Sequence, residues 1–259
     1  MLHIEPIRAF QDNYLWLFHQ AGNQDATVVD PGDAAPVEAY LARHGLRLAS
    51  ILVTHHHMDH IGGVEALVQH WQVPVYGPRS GKIPQITHPL QEGDNVTVAG
   101  IMLRVLEVPG HTLEHIAYYA ADADGTPLVF CGDTLFAAGC GRMFEGTPPV
   151  MHASLQKLAA LPPATRVFCT HEYTLSNLRF AKAVLKDRPA LLARITQEQR
   201  KREQDQPTVP STMALELQTN PFLHCEDAQV LAVLAAERDF KERDPAQVFG
   251  ALRRWKDGF

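Results

Sequence analysis

Between Thr54 and Gly63 the chain reads THHHMDHIGG, four histidines and one aspartate placed directly behind the apolar run Ile51-Leu52-Val53. That pairing is demanding, because the run must be buried while the cluster needs water or a shared ligand to offset its desolvation. If Ile51–Val53 is a strand leaving the core, alternate residues project to one side, and His55 and His57 reach towards one ion. Asp59 and His60 follow where HIGGVEALV begins to look helical, so they point to a second ion beside the first. Two other readings compete. His56 and His60 have the i, i+4 spacing of a helical HExxH pair, but His57 stands where that motif carries its glutamate base. A histidine-rich loop with no metal would desolvate four imidazoles and a carboxylate for nothing.

The chain has 14 histidines, so position matters more than number. His111 follows the apolar run Leu103–Val108 in LEVPGHTLEH, Asp133 ends PLVFCGDT, and His171 ends RVFCTHEY. Singly, each has an ordinary explanation as a loop histidine or a turn aspartate. Jointly, four strand-end loops that each carry His or Asp are hard to explain by turns. A carboxylate has two oxygens and bridges two ions about 3.5 to 4 Å apart in two-metal hydrolytic sites, and Asp133 is the best candidate for that role. Imidazole plus carboxylate without thiolate suits zinc, iron or manganese.

β-like runs occupy the first two thirds: NYLWLFH, ATVVD, SILVT, NVTVAG, IMLRVLEV, HIAYYA, PLVFCGD and RVFCTHEY are rich in β-branched and aromatic residues. Helical spacing appears over Ala35–His44, Ile61–Trp71 and Met151–Leu161, so an α/β layered structure is expected. After about Tyr173 apolar residues recur at three- and four-residue spacing among charges, with breaks predicted at Asp187-Arg188-Pro189 and over 206–210. Further helices are expected at Asp227–Phe240 and Pro245–Trp255. Residues 1–172 are thus read as the metal-binding domain and 173–259 as a smaller α-helical domain.

A net charge of -6 disfavours a phosphate-backbone binder, so no nucleic-acid partner is expected. No apolar run approaches the roughly 18 to 20 residues of a membrane span, and MLHIEPIRAF lacks a secretory layout, so a cytoplasmic protein without membrane contact is expected. The four cysteines lie far apart without a CxxC pair and read as buried reduced thiols. A monomer is the default expectation.

His55-x-His57-x-Asp59-His60, followed by His111, Asp133 and His171, resembles the dinuclear ligand set of the metallo-β-lactamase superfamily. That resemblance implies an αββα sandwich, two mixed β-sheets between helices. AFQDNYLW, VVDPGDA, CGDTLFAAGCGRMFEGT, THEYTLSNLRFA, TNPFLH and LRRWKDGF are similar to the hydroxyacylglutathione hydrolase (glyoxalase II) family over essentially the whole chain. The family likeness implies one metal at His55, His57 and His111, a second at Asp59, His60 and His171, and Asp133 as the bridge. Zinc is the first expectation for both ions. It also implies a glutathione site at Arg142, Phe144, Tyr173, Arg253 and Lys256, with Arg and Phe standing where some members carry Lys and Tyr. Without the likeness, Arg253 and Lys256 would read as favourable charges at a helix C-terminus. The implied reaction is hydrolysis of S-(2-hydroxyacyl)glutathione, typically S-D-lactoylglutathione, to a 2-hydroxy acid and glutathione, the second step of methylglyoxal detoxification. A hydroxide held between the metals would attack, and Asp59 would orient it or take a proton. The rivals are a one-iron persulfide dioxygenase of the same superfamily, a nuclease, and a non-catalytic scaffold that keeps the fold.

Overall fold

The computed structural model describes all residues from Met1 to Phe259. By contacts the chain divides into two compact units, and the division cuts across sequence order. The first comprises Met1–Glu107 and Glu114–Gly132, the second Val108–Leu113 and Asp133–Phe259.

The first unit contains β1 (Leu2–Ala9), β2 (Asn13–Gln20), β3 (Asp25–Val29), α1 (Ala34–His44), β4 (Arg47–Leu52), the one-turn α2 (Met58–Ile61), α3 (Val64–Trp71), β5 (Val75–Pro78), β6 (His88–Leu90), β7 (Asn95–Val98), β8 (Ile101–Glu107), β9 (Ile116–Ala123) and β10 (Thr126–Gly132). β1 to β6 form one mixed sheet in sequence order, antiparallel from β1 to β3 and parallel from β3 to β6. β7 to β10 form an antiparallel meander. The period-2 rule sorts the first sheet's side chains. Ile7, Leu15, Leu17, Val28, Ile51 and Val53 pack against Val37 and Leu41 of α1 and Val64 and Leu67 of α3. The alternate residues face the meander: Phe18 stacks on Phe130 at 5.3 Å, and the Tyr118 hydroxyl donates to the Val53 carbonyl at 2.8 Å. With both faces covered, β2 is buried over Asn13–Phe18, and each large apolar side chain there contributes about 1.5 to 3 kcal/mol.

The second unit contains β11 (Leu135–Phe136), β12 (Gly139–Cys140), α4 (Pro148–Ala159), β13 (Arg166–Cys169), α5 (Thr174–Leu185), α6 (Pro189–Glu203), β14 (Ser211–Thr212), α7 (Met213–Thr219), a 3-10 turn at Pro221–Leu223, α8 (Ala228–Arg238) and α9 (Pro245–Asp257). Phe180 meets Phe222 at 5.7 Å and Trp255 at 5.4 Å, and Phe222 meets Phe249 at 5.8 Å, so α5, α9 and the turn share one aromatic core. The predicted break at Asp187-Arg188-Pro189 separates α5 from α6, with Pro189 at the first helical position where its missing N–H costs nothing. The helix expected from Ile61 to Trp71 differs. It begins at Val64, because Gly62 and Gly63 form a packed turn in which a Cβ on Gly63 would lie 2.6 Å from the Asp33 carbonyl carbon. The cysteines are free and buried, as read from the sequence.

Candidate metal centre

In the first unit, β4 delivers Thr54 and His55 into the loop behind its end, both fully buried. The clamp is Asp30, which leaves β3 with a left-handed φ of 50°. Its Oδ1 accepts the Thr54 amide at 2.7 Å and its Oδ2 accepts the Thr54 hydroxyl at 2.7 Å. Oδ2 also lies 3.0 Å from Nδ1 of His60. At that distance the Asp30 carboxylate sets its negative charge against the Nδ1 side of the ring, with Nε2 on the opposite side. His55 is set the same way one step further on, its Nδ1 lying 3.1 Å from the Thr54 hydroxyl oxygen. The ring centroids of His57 and His60 stand 4.7 Å and 4.0 Å from that of His55.

Asp59 and His60 come from α2 with Asp59 Oδ2 3.6 Å from His60 Nε2. The Asn13 side-chain amide donates to the same oxygen at 3.1 Å, fixing the carboxylate from the start of β2. The DPG turn presses on this loop so closely that a Cβ on Gly32 would sit 1.9 Å from the Asp59 carbonyl oxygen, so only glycine fits. His56, between two predicted ligands, turns elsewhere: its Nδ1 pairs with Glu114, whose other oxygen meets Lys82 at 3.4 Å. Its partners hold the Glu114 carboxyl below the usual range, the His56 hydrogen bond leading, although burial itself acts upward and is the largest single effect.

In the second unit, His111, Asp133 and His171 converge. His111 Nε2 lies 3.4 Å and His171 Nε2 3.2 Å from a single oxygen, Oδ2 of Asp133. His111 Nδ1 donates to the Arg142 carbonyl at 2.8 Å, so the proton-bearing nitrogen faces the protein and Nε2 the centre. All three residues are buried. The loop after Asp133 is staked down from beneath. Asn177 donates to the Ala137 carbonyl at 3.1 Å, Asn220 to the Gly139 carbonyl at 2.9 Å, and Glu216 accepts the Ala138 amide at 2.8 Å. Glu216 is itself buried against Arg194, 2.7 Å away, and the Arg194 guanidinium also donates to Thr219 and Ser211. Gly141 crosses behind the loop, where a Cβ would lie 1.9 Å from the Asp133 carbonyl oxygen.

The five residues implied for the glutathione moiety all lie in this second unit. Phe144 meets His111 edge-on at 5.3 Å, and Tyr173 stacks on His171 at 4.7 Å with the rings 1° from parallel. Arg253 is buried at 4% exposure, donates to the Cys140 carbonyl at 2.9 Å and lies over the Phe222 ring. Lys256 reaches the Ser176 hydroxyl at 3.3 Å. Its ammonium is held below the usual lysine range, first by burial and then by Arg253, Arg179 and Arg142, with Asp257 acting the other way. Burial pushes the Cys140 thiol up to about 11 and the Cys169 thiol to about 12, so neither is a thiolate nucleophile at neutral pH.

Asp30, Asn13, Asp257 and the Glu216–Arg194 pair received no role from the sequence. Asp30 had the most accessible signal, an acidic residue at the end of an apolar run in VVDPGDA, the pattern that singled out Asp133.

These donors suit a resident metal: nitrogen and oxygen only, with Nδ1 of His55 and His111 hydrogen-bonded to protein oxygens and Nδ1 of His60 3.0 Å from the Asp30 carboxylate. Residues 10–171 match the metallo-beta-lactamase superfamily, and residues 172–259 match the hydroxyacylglutathione hydrolase C-terminus. A hydroxyacylglutathione hydrolase of Pseudomonas paraeruginosa is 54% identical over 260 residues, covering both chains completely. One from Nitrosomonas europaea is 48% identical over 261 residues, covering 100% of this chain and 97% of its own. The crystal structure of ETHE1 from Myxococcus xanthus shares the fold with a TM-score of 0.65 at 24% identity, covering 99% of this chain and 98% of that one. A crystal structure of TTHA1623 in a di-iron-bound form aligns with a TM-score of 0.60 at 29% identity, over 85% of this chain and all of the other. The superfamily match and the His/Asp clusters support a dinuclear metal site in an α/β metallo-β-lactamase fold of two mixed sheets with a helical C-terminal region. The chain belongs to the hydroxyacylglutathione hydrolase family of the metallo-β-lactamase superfamily.

Proposed function

We propose that this chain is a thioester hydrolase that cleaves S-(2-hydroxyacyl)glutathione, with S-D-lactoylglutathione as the typical substrate, to a 2-hydroxy acid and glutathione. The observation that carries the reading is the approach of two imidazole Nε2 atoms, at 3.2 and 3.4 Å, to one oxygen of Asp133. In this reading His55, His57 and His111 would hold one divalent ion, Asp59, His60 and His171 would hold the second, and Asp133 would serve both. Zinc fits the nitrogen-rich donor set, and iron or manganese would also be accepted. When bound, the two ions supply an acidified water and stabilise the oxyanion that develops on the thioester carbonyl.

The chain's own residues do the rest. Asn13 holds Asp59 Oδ2, which leaves the other Asp59 oxygen to orient the attacking water or accept its proton. Tyr173 and Phe144, ring against ring with His171 and His111, offer apolar walls to the substrate beside two ligands. Arg142, Arg253 and Lys256 hold the glycine carboxylate of glutathione, and that remote contact positions the carbonyl. A thiolate leaves readily, its conjugate acid having a pKa of about 8.5, so little general-acid help is required. Residues 1–172 would hold the metals and 173–259 would supply most of the glutathione contacts, in a cytoplasmic monomer. Family membership over the full chain supports this substrate class.

The test is purified protein with S-D-lactoylglutathione, following thioester loss. Hydrolysis that disappears on chelation and returns with zinc supports the proposal. Oxygen uptake with glutathione persulfide and no thioester loss would replace it with the dioxygenase reading.

A further inference from the structure

Asp257 is the last residue of α9 and faces the negative end of the helix dipole, so the helix itself disfavours a carboxylate there. Cations hold it in place. Its Oδ1 lies 3.1 Å from Nη2 of Arg253, one turn back on the same helix, and 3.7 Å from Nε of Arg142 on the loop after β12. Arg142 and Asp257 are open to solvent, at 67% and 44% side-chain exposure, whereas Arg253 is buried. Lys256, beside Asp257 in sequence, feels Arg253, Arg179 and Arg142 as like charges and Asp257 as the opposing one. Two arginines therefore flank one carboxylate of the chain itself, with Lys256 interacting with it as well, and that carboxylate sits on two of the three cations assigned above to the glycine carboxylate of glutathione.

We propose that Asp257 is a specificity-determining residue: an internal counter-anion that occupies the substrate's carboxylate seat and is displaced from Arg142 when a glutathione thioester binds. The inference rests on the functional reading given above. Binding is then an exchange of one carboxylate for another, so affinity follows the difference between them. A thioester with an uncharged end gains nothing from displacing Asp257 and binds more weakly, and glutathione, the product, is released as Asp257 returns to Arg142. Arg253, held on its other side by the Cys140 carbonyl, keeps its place throughout.

The test compares wild type with Asp257→Asn. Calorimetry gives the Kd for glutathione, and steady-state kinetics with S-D-lactoylglutathione at low and high salt give KM and kcat. Loss of the internal competitor lowers Kd and KM about two- to fivefold, the range for an exposed ion pair, without raising kcat, and makes KM more salt-dependent. Asp257→Glu restores weaker binding, and in an Arg142→Ala background Asp257→Asn changes Kd little. Unchanged or weaker binding by a folded Asp257→Asn protein overturns the inference alone. Wild-type protein that neither binds glutathione nor cleaves its thioester overturns the functional reading with it.

Discussion

Asp30 shows how one side chain can position a proposed ligand. Its two oxygens accept the Thr54 amide and the Thr54 hydroxyl, and one of them lies 3.0 Å from His60 Nδ1, so it braces the loop and faces the ring together. Asp30→Asn keeps the shape and removes the charge, and metal affinity should fall about 10- to 100-fold, as for other partners of metal-bound histidines. Titration against a chromophoric chelator measures it, and wild-type affinity would show that Asp30 does not act through His60. Asp133→Ala should lose bound metal and activity together, read by elemental analysis beside the thioester assay. A fully metallated, active variant would remove Asp133 from the bridge. Arg253 and Arg142 separate two effects. Arg253→Ala should raise KM, but it also strips the brace on the Cys140 carbonyl and should lower stability. Arg142→Ala, at an exposed position, should raise KM about two- to fivefold with kcat little changed, because the substrate contact it removes is offset in part by the Asp257 contact it also removes. Residues whose chemistry is local, such as the His55–His60 cluster, were legible in the sequence. Asp30 and Asn13 were not, because their partners lie 24 or more positions away.

At the scale of elements, the loop carrying Asp133 depends on α6 and α7 below it. The Arg194–Glu216 pair is fully buried, so Glu216→Gln leaves an arginine without its counter-charge and should destabilise the protein by about 3 to 5 kcal/mol. Chemical denaturation checks the cost. If stability falls by less than about 1 kcal/mol, the pair is not the support described. The long periodic elements were readable: α1, α5, α6, α8 and α9 follow their apolar spacing, and β2, β3, β4, β8, β9 and β10 their β-branched runs. β1 alternates but contains Pro6, β5 and β6 span only four and three residues, and α7 is two turns long. Such short pieces carry too few residues for a period to stand out, and long-range pairing rather than local preference fixes them.

For the whole molecule, sequence order and spatial grouping diverge. Val108–Leu113 groups with the second unit although the strands on either side belong to the first, and no local pattern announces such a change. His111 lies in that short segment, so its predicted role came from family likeness and from its place after an apolar run. Metal bound only by the folded chain stabilises it by mass action, so chelation should lower Tm and re-addition of zinc should restore it. The most direct test of the account is to count bound metal per chain while measuring turnover of S-D-lactoylglutathione. Two ions per chain with hydrolysis that scales with occupancy is the predicted result. Two bound ions with no thioester cleavage would contradict it.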